Sequence, residues 1–424
     1  MTDERHKQPG RRRGPATLWG FPVEDREAQT PVPSGQGDER GKRGIALIIA
    51  IMVVSIMMLF TTDMILTSQV NLTLATEKRD NLKAEYMAKS AFNAATLLIS
   101  ADFAYDLFQV QQNPKGQMTD GFGEFWGALN GLPIGGETAD MMSQFQQQFD
   151  LNSVMDSGVM DQLKLFDGVF TLNVSDEGNK INVNDCFNSR CSEVMLMLDA
   201  LFSCPAEKAF LDQKKLDGHQ LAYRIKDYID KDSRAEDASG YNDEDDPYSK
   251  RTPKQQAKNA PLDSISELRM IDGWDEDMQA VFAPFITAFP LAQGSTDRVF
   301  KLNLNTASRA MLQCLFPESK GECADKSTLA LTKRNDDQTT LGQPGEKIAD
   351  VLRDTLCYTG GDGDPGSANN RANWFQQRTS VFRIEATGAV GSSVKTLTAV
   401  VQRVMPDVKK NEKATYRILY WKMI

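Results

Sequence analysis

The sequence predicts an α+β chain with a long N-terminal transmembrane helix, an antiparallel β head, and a large α-helical domain inserted into that head. Three observations predict it. An uncharged apolar run opens a stretch without helix breakers, segments of period-two alternation lie mid-chain and near the C-terminus, and helical spacing dominates between them.

The N-terminal element rests on residues 45–60, which read IALIIAIMVVSIMMLF, with Thr61 and Thr62 extending the run to Asp63. At about 1.5 Å per residue, some 18 residues just span a bilayer core of about 30 Å, so 45–62 is the expected span. Arg40, Lys42 and Arg43 precede it, and their positive charge places that side in the cytoplasm and the C-terminal bulk across the membrane. A secretory signal peptide would end in small residues, whereas Leu59, Phe60, Met64, Ile65 and Leu66 continue the apolar character.

No Gly or Pro occurs between Gly44 and Pro114. A helix over 45–113 could reach on the order of 100 Å, with a break expected near Ser100 to Tyr105. Met87, Ala91, Ala94 and Leu98 recur at helical spacing opposite Glu77, Lys78, Arg79, Asp80 and Lys83, and form the candidate assembly face of this helix.

The head is expected from 114–185 and 300–424. Val169 to Val174 (VFTLNV) and Lys180 to Asn184 (KINVN) alternate around Asp176-Glu177-Gly178-Asn179, which predicts a hairpin. The alternation returns at Lys301 to Asn305 (KLNLN), with Thr306 as the expected cap of a helix through Ala307, Met311 and Leu315. Val381 to Ala389, Val394 to Val404 and Thr415 to Met423 complete the strands. Residues 186–299 form the predicted insertion, with helices over Val194 to Leu201, Lys208 to Lys226, Leu262 to Ile271 and Met278 to Ile286.

Composition narrows function. The chain has 424 residues, 41% of them hydrophobic, enough for two or three units with real cores. A formal charge of −10 works against binding a phosphate backbone. There are only two histidines, and His6 lies in the N-terminal arm, so His-based triads and multi-His metal sites are nearly excluded. His219 reads as a helix-start or surface residue. Six cysteines, none in a CxxC pair, suggest disulfides whose pairing the sequence leaves open: Cys186, Cys191 and Cys204 cluster in one stretch, and Cys314, Cys323 and Cys357 in another.

From Asp227 to Asp246 the chain reads DYIDKDSRAEDASGYNDEDD. Such carboxylate density needs solvent or cations, and calcium takes six to eight oxygens in flexible loops. Asp230, Asp232, Glu236, Asp243 and Asp245 are the candidate metal ligands, without EF-hand spacing. A solvated acidic loop is the other reading.

Lys42-Arg43-Gly44 before Ile45 resembles a prepilin-peptidase site, with cleavage between Gly44 and Ile45 and removal of a disordered leader, 1–44. The helix behind it looks like the shared N-terminal helix of type IV pilins and pseudopilins. Most such subunits carry Glu at the fifth mature position; here it is Ile49, a feature of the K-type subunit. SDEGNKINVND, DYIDKDS, KNAPLDSISELRMIDGW and KLNLNTA, in this order, resemble the K-type minor pseudopilin family of type II secretion from about Arg43 to Trp421. The resemblance implies a subunit in the bacterial inner membrane with a pilin-like head in the periplasm. It further implies contact with I- and J-type minor pseudopilins, the major pseudopilin and prepilin peptidase, priming and capping of the pseudopilus tip, and calcium near the acidic loop.

Three other classes fit the sequence less well. LDSISELRMIDGW and LNLNTASRAMLQCLF each resemble half of a helix-hairpin-helix of a membrane-anchored DNA-binding protein, but the hairpin Ile271 to Asp277 is acidic and lacks the second Gly, so no nucleic acid is expected. No GxSxG, SxxK or paired metal motif points to an enzyme. A minor subunit of a type IV pilus is the near cousin, disfavoured by the large insertion and by Ile49.

Overall fold

The computed structural model describes residues 39–112, 118–135, 168–187, 190–236, 243–291, 301–317, 321–343, 345–360, 367–404 and 415–424. Most of the predicted leader lies outside them. The chain divides into a unit ending at Leu72 and a unit Thr73–Ile424.

The first unit is the apolar part of helix α1, Glu39–Gln112. Its side chains from Gly44 onward are exposed, and it contains an 18-residue window of mean hydropathy 2.7 that is long and apolar enough to cross a membrane. The helix begins upstream of Ile45 and shows no break near Ser100 to Tyr105. The reason is burial: Ile99, Asp102, Phe103 and Asp106 pack into the core of the second unit there, and the first proline after Gly44 comes only at 114.

In the second unit, β1 (Val169–Asp176), β6 (Val381–Val390), β7 (Ser393–Val404) and β8 (Thr415–Met423) form an antiparallel sheet in the order β1-β6-β7-β8. The three C-terminal strands lie where alternation predicts them, within one residue. The predicted hairpin does not form. β1 pairs with β6, Val174 opposite Ile384, while β2 (Ile181–Asn182) leaves the sheet and runs parallel to β3 (Ile286–Thr287). The turn fails because Asp176, at the end of β1, is buried and bound elsewhere, as described below.

Helix α1 lies on this sheet. Ala84, Met87, Ala88, Ala91, Ala95 and Ile99 form one core with Phe170, Leu172, Ile384, Ala386, Leu397 and Ala399. Alanine at four of six helix positions lets the backbones approach closely, and a Cβ on Gly388 of β6 would sit 2.2 Å from the Ala84 carbonyl oxygen.

The second core is larger than the predicted insertion. It runs from Ile181 to Phe375, so residues 302–375, expected in the head, belong to the helical domain. Its helices are α2 (Cys191–Phe202), α3 (Pro205–Lys214), α4 (Gly218–Ile229), α5 (Asp246–Ser249), α6 (Glu276–Phe282), α7 (Arg309–Leu315), α8 (Glu322–Asp336) and α9 (Ile348–Leu356). The predicted helix Lys208 to Lys226 is split at Lys215, which takes a left-handed φ of 58°. Leu262 to Ile271 is shorter, a 3-10 turn Ile265–Met270 whose Glu267 accepts the amides of Asp263 and Ser264. The predicted helix end at Ile286 is strand β3.

The echo between KINVN and KLNLN marks two related entries into this domain. Asn182 accepts the amide of Asn184 at 3.1 Å, and Asn303 accepts that of Asn305 at 3.0 Å. Each motif starts a short parallel ladder, β2 with β3, and β4 (Leu302–Asn303) with β5 (Phe375–Gln376). Ser308, not Thr306, caps the helix that follows, because the Thr306 hydroxyl is bound to Asp176.

Disulfides reinforce the helical domain: Cys186–Cys191, Cys204–Cys314 and Cys323–Cys357. The second links the two sequence clusters and fastens the α2–α3 junction to α7.

Candidate functional site

The acidic loop folds around the C-terminal end of α4. Leu221, Ala222, Ile225 and Ile229 anchor that helix in the core, and Asp217 caps its start by accepting the Gln220 amide at 2.9 Å. Burial of this face carries Asp227 inward, and Asp230 follows at the C-cap. An isolated antiparallel bridge between Arg234 and Asp243 then folds the returning chain back, which turns Glu244 inward.

Asp227, Asp230 and Glu244 bring carboxylate oxygens within 4.8 Å of one another, and Asp230, Asp232 and Glu236 form a second such group sharing Asp230. Glu244 is only 3% exposed, and neither of its oxygens meets a hydrogen-bond donor among the described residues. Burial first, and then the charges of Asp230, Asp227 and Asp232, push its carboxyl up to about 8. Burial and Asp232 likewise raise Asp230. The cation nearest this group is Lys226, whose Nζ lies 3.8 Å from Asp230 and also pairs with Glu236. Oxygen donors from a helix end and an irregular loop suit a hard cation of calcium type.

Of the predicted ligands, Asp230, Asp232 and Glu236 come together here; Asp243 and Asp245 do not. Asp243 is exposed and accepts the Asp245 amide at 2.9 Å, while Asp245 accepts the Ala257 amide at 2.8 Å. Both shape the loop. Asp227 and Glu244 replace them, turned inward by the burial of α4 and by the Arg234–Asp243 bridge.

The predicted assembly face on α1 is also corrected. Met87 and Ala91 are sealed against the chain's own sheet, and Ala94 and Leu98 pack beside them. The opposite side of the helix carries exposed Leu82, Tyr86, Leu97 and Phe108. Charge at Glu77 to Lys83 hid this second stripe in the sequence.

Gly44 and Ile45 lie within α1, with open space around Gly44. His219 sits in the first turn of α4 with Nδ1 2.9 Å from Asp199 Oδ1, a surface role. The acidic hairpin before α6 is occupied by its own groups: Asp275 accepts the Met278 amide, and Lys214 pairs with both Asp275 and Asp277.

Residues 181–291, the first half of the helical domain, match the family described as Type II secretion system (T2SS), protein K. Type II secretion system protein K of Pseudomonas aeruginosa is 22% identical over 316 residues, covering 74% of this chain and 80% of that protein. A chain in the crystal structure of the GspK-GspI-GspJ complex from the enterotoxigenic Escherichia coli type 2 secretion system shares the fold. Its TM-score is 0.53 at 16% identity, over 82% of this chain and 98% of that one. In its matched domain, its aligned relative and its fold, this chain is thus similar to protein K of the type II secretion system.

Proposed function

We propose that the protein is anchored in the bacterial inner membrane by α1, carries its bulk in the periplasm, and primes and caps the tip of the type II secretion pseudopilus with I- and J-type minor pseudopilins. It acts as an assembly subunit and not as an enzyme. The observation that carries this reading is the second apolar stripe on α1. Leu82, Tyr86, Leu97 and Phe108 are exposed on a helix whose other side is already used by the chain's own sheet. Exposed apolar side chains at helical spacing suit packing against another amphipathic helix. The solved complex named GspK-GspI-GspJ supports I- and J-type partners for such a face.

The size of the head supports a terminal position. Pilin-like subunits repeat about their N-terminal helices, and a helical domain of this extent would collide with its copies in a repeating stack. The acidic loop is read as a calcium site held by Asp227, Asp230, Asp232, Glu236 and Glu244, which offsets carboxylate repulsion and holds the loop against α4. Processing between Gly44 and Ile45 by prepilin peptidase would free Ile45 as the mature N-terminus.

The test is co-expression of the full chain with I- and J-type pseudopilins and purification from detergent. A ternary complex is expected for the wild type, and Leu82→Glu with Leu97→Glu should abolish it while leaving the chain folded. A doubly substituted chain that still recovers both partners would refute the role of this stripe.

A further inference from the structure

A second cluster of carboxylates lies in the head, on different elements from the acidic loop. Asp102 and Asp106 stand one turn apart on α1, and Asp120 comes from the segment that follows. Like charges four residues apart oppose helix formation, so this pair needs a compensating partner. Asp102 and Asp120 are fully buried and Asp106 is 8% exposed. Each of the three places a carboxylate oxygen within 4.8 Å of the others. Two ligands at about 2.4 Å from one ion can be no further apart than about 4.8 Å, so three such oxygens can share a single calcium-sized ion.

Hydrogen bonds account for only part of these carboxylates. Asp102 Oδ1 accepts the Phe125 amide at 3.2 Å, and Asp120 Oδ2 accepts the Thr379 amide at 2.6 Å. Asp106 Oδ2 is buried with no hydrogen-bond donor among the described residues, and so is Asp102 Oδ2. Among the described residues, Arg403 is the fully buried cation paired with them. Its Nη1 lies 3.6 Å from Asp102 Oδ2 and its Nη2 3.4 Å from both Asp120 oxygens, and it donates to the Thr379 carbonyl at 2.9 Å. Glu124 adds a further carboxylate, and the neighbouring Arg378 turns its Nη1 to Met118 Sδ at 3.8 Å. Arg403 acts on Asp102, Asp106 and Asp120, and Arg378 on Asp106 and Asp120, while Glu124 is hydrogen-bonded to Asp102, so two guanidiniums stand against four carboxyl groups. Burial is the main cause that pushes Asp102 up to about 8 and both Asp106 and Glu124 up to about 7.

We propose that Asp102, Asp106 and Asp120 form a second divalent-cation site, of calcium type, which ties the end of α1 to the head. More than two carboxylates from a helix and an irregular loop suit calcium over magnesium, which keeps most of its waters and strict octahedral order. The site is independent of the acidic loop and stands or falls separately.

The experiment uses the full-length chain in detergent, stripped with chelator, then dialysed against calcium and counted by elemental analysis. The loop variant Asp230→Asn/Glu244→Gln should retain one calcium per chain, and adding Asp106→Asn should remove it, with far-ultraviolet dichroism unchanged. In the loop variant, calcium should also raise the melting temperature, and the rise should vanish in the triple variant. Should the triple variant fail to fold, the loop variant alone decides: a calcium-dependent rise supports the site and none overturns it. Equal calcium counts in the loop and triple variants would likewise overturn it and leave protons as the compensating charge. Equal counts in wild type and loop variant would instead refute the acidic-loop reading.

Discussion

Glu177 and Arg383 form a two-point ion pair just past the β1–β6 ladder, with Nε 2.8 Å from Oε2 and Nη2 2.8 Å from Oε1. Lys180 approaches the same carboxylate at 3.1 Å, and Thr287, from the helical domain, donates its hydroxyl at 2.7 Å. The pair therefore joins the head to the helical domain.

This pair makes acid stability predictable. Burial alone would raise the Glu177 pKa, but hydrogen bonding to Arg383 and the charges of Lys180 and Arg383 prevail and hold it at about 2, below the usual 4.5. A depressed acid contributes stability that is present above about pH 4.5 and is lost as the pH falls towards 2, on the order of 3 kcal/mol in full. Urea midpoints measured from pH 7 to pH 2.5 should fall in that window for the wild type. Arg383→Met should cost about 3–5 kcal/mol at pH 7 by stranding a buried charge, and the added change Glu177→Gln should recover part of it.

Gly388 should tolerate no side chain. A Cβ there would lie 2.2 Å from the Ala84 carbonyl oxygen and 2.6 Å from the Ala88 amide nitrogen, both backbone atoms that a rotamer change cannot move. Gly388→Ala must push α1 off the sheet and should lower stability by about 1–3 kcal/mol or more. Thermal unfolding would show it, and Ala84→Gly should not rescue it, because the obstacle is the main chain.

The disulfides should rank by the loop each closes. Cys204–Cys314 spans 110 residues and Cys323–Cys357 spans 34. Loop-closure entropy assigns about 4.7 kcal/mol to a loop of roughly 100 residues and about 1 kcal/mol less to one a third as long. Denaturant unfolding of the paired serine variants should show the larger loss for Cys204 with Cys314.

The acidic loop separates ligand from scaffold. Glu244→Gln should remove the acidic loop's share of the stabilisation by calcium and leave only the share of the head cluster, because it removes the most buried carboxylate of the loop group. Asp243→Asn, on the exposed neighbour, should leave that stabilisation intact. Differential scanning calorimetry with and without calcium reads both.

The two clusters of carboxylates show how far local pattern reaches. The loop was legible because its acids are contiguous in sequence, yet which of them turn inward was decided by the bridge between Arg234 and Asp243. The head cluster was not legible. Asp102, Asp106 and Asp120 lie close in sequence but among mostly apolar and neutral residues, without the acidic density of the loop, and Arg403 of β7 reaches them from 283 residues beyond Asp120. Asp176 is a similar case. It accepts hydrogen bonds from Gly178 at 2.6 Å, Asn303 at 2.9 Å, Thr306 and Thr379, and burial pushes it up to about 6. In sequence it looked like the first residue of a hairpin turn.

Sequence alone determined what depends on near neighbours: the apolar run, the absence of helix breakers from Gly44 to Pro114, the three C-terminal strands and the helical spacing of the insertion. Tertiary structure decided what depends on distant partners. It paired β1 with β6 across the whole helical domain, placed residues 302–375 in that domain's core, joined Cys204 to Cys314, and chose which face of α1 the sheet covers. Helical periodicity repeats within a few residues and is therefore written locally, whereas a strand's partner, a disulfide's partner and a buried charge's partner are set by which surfaces remain to be covered once the chain has closed on itself.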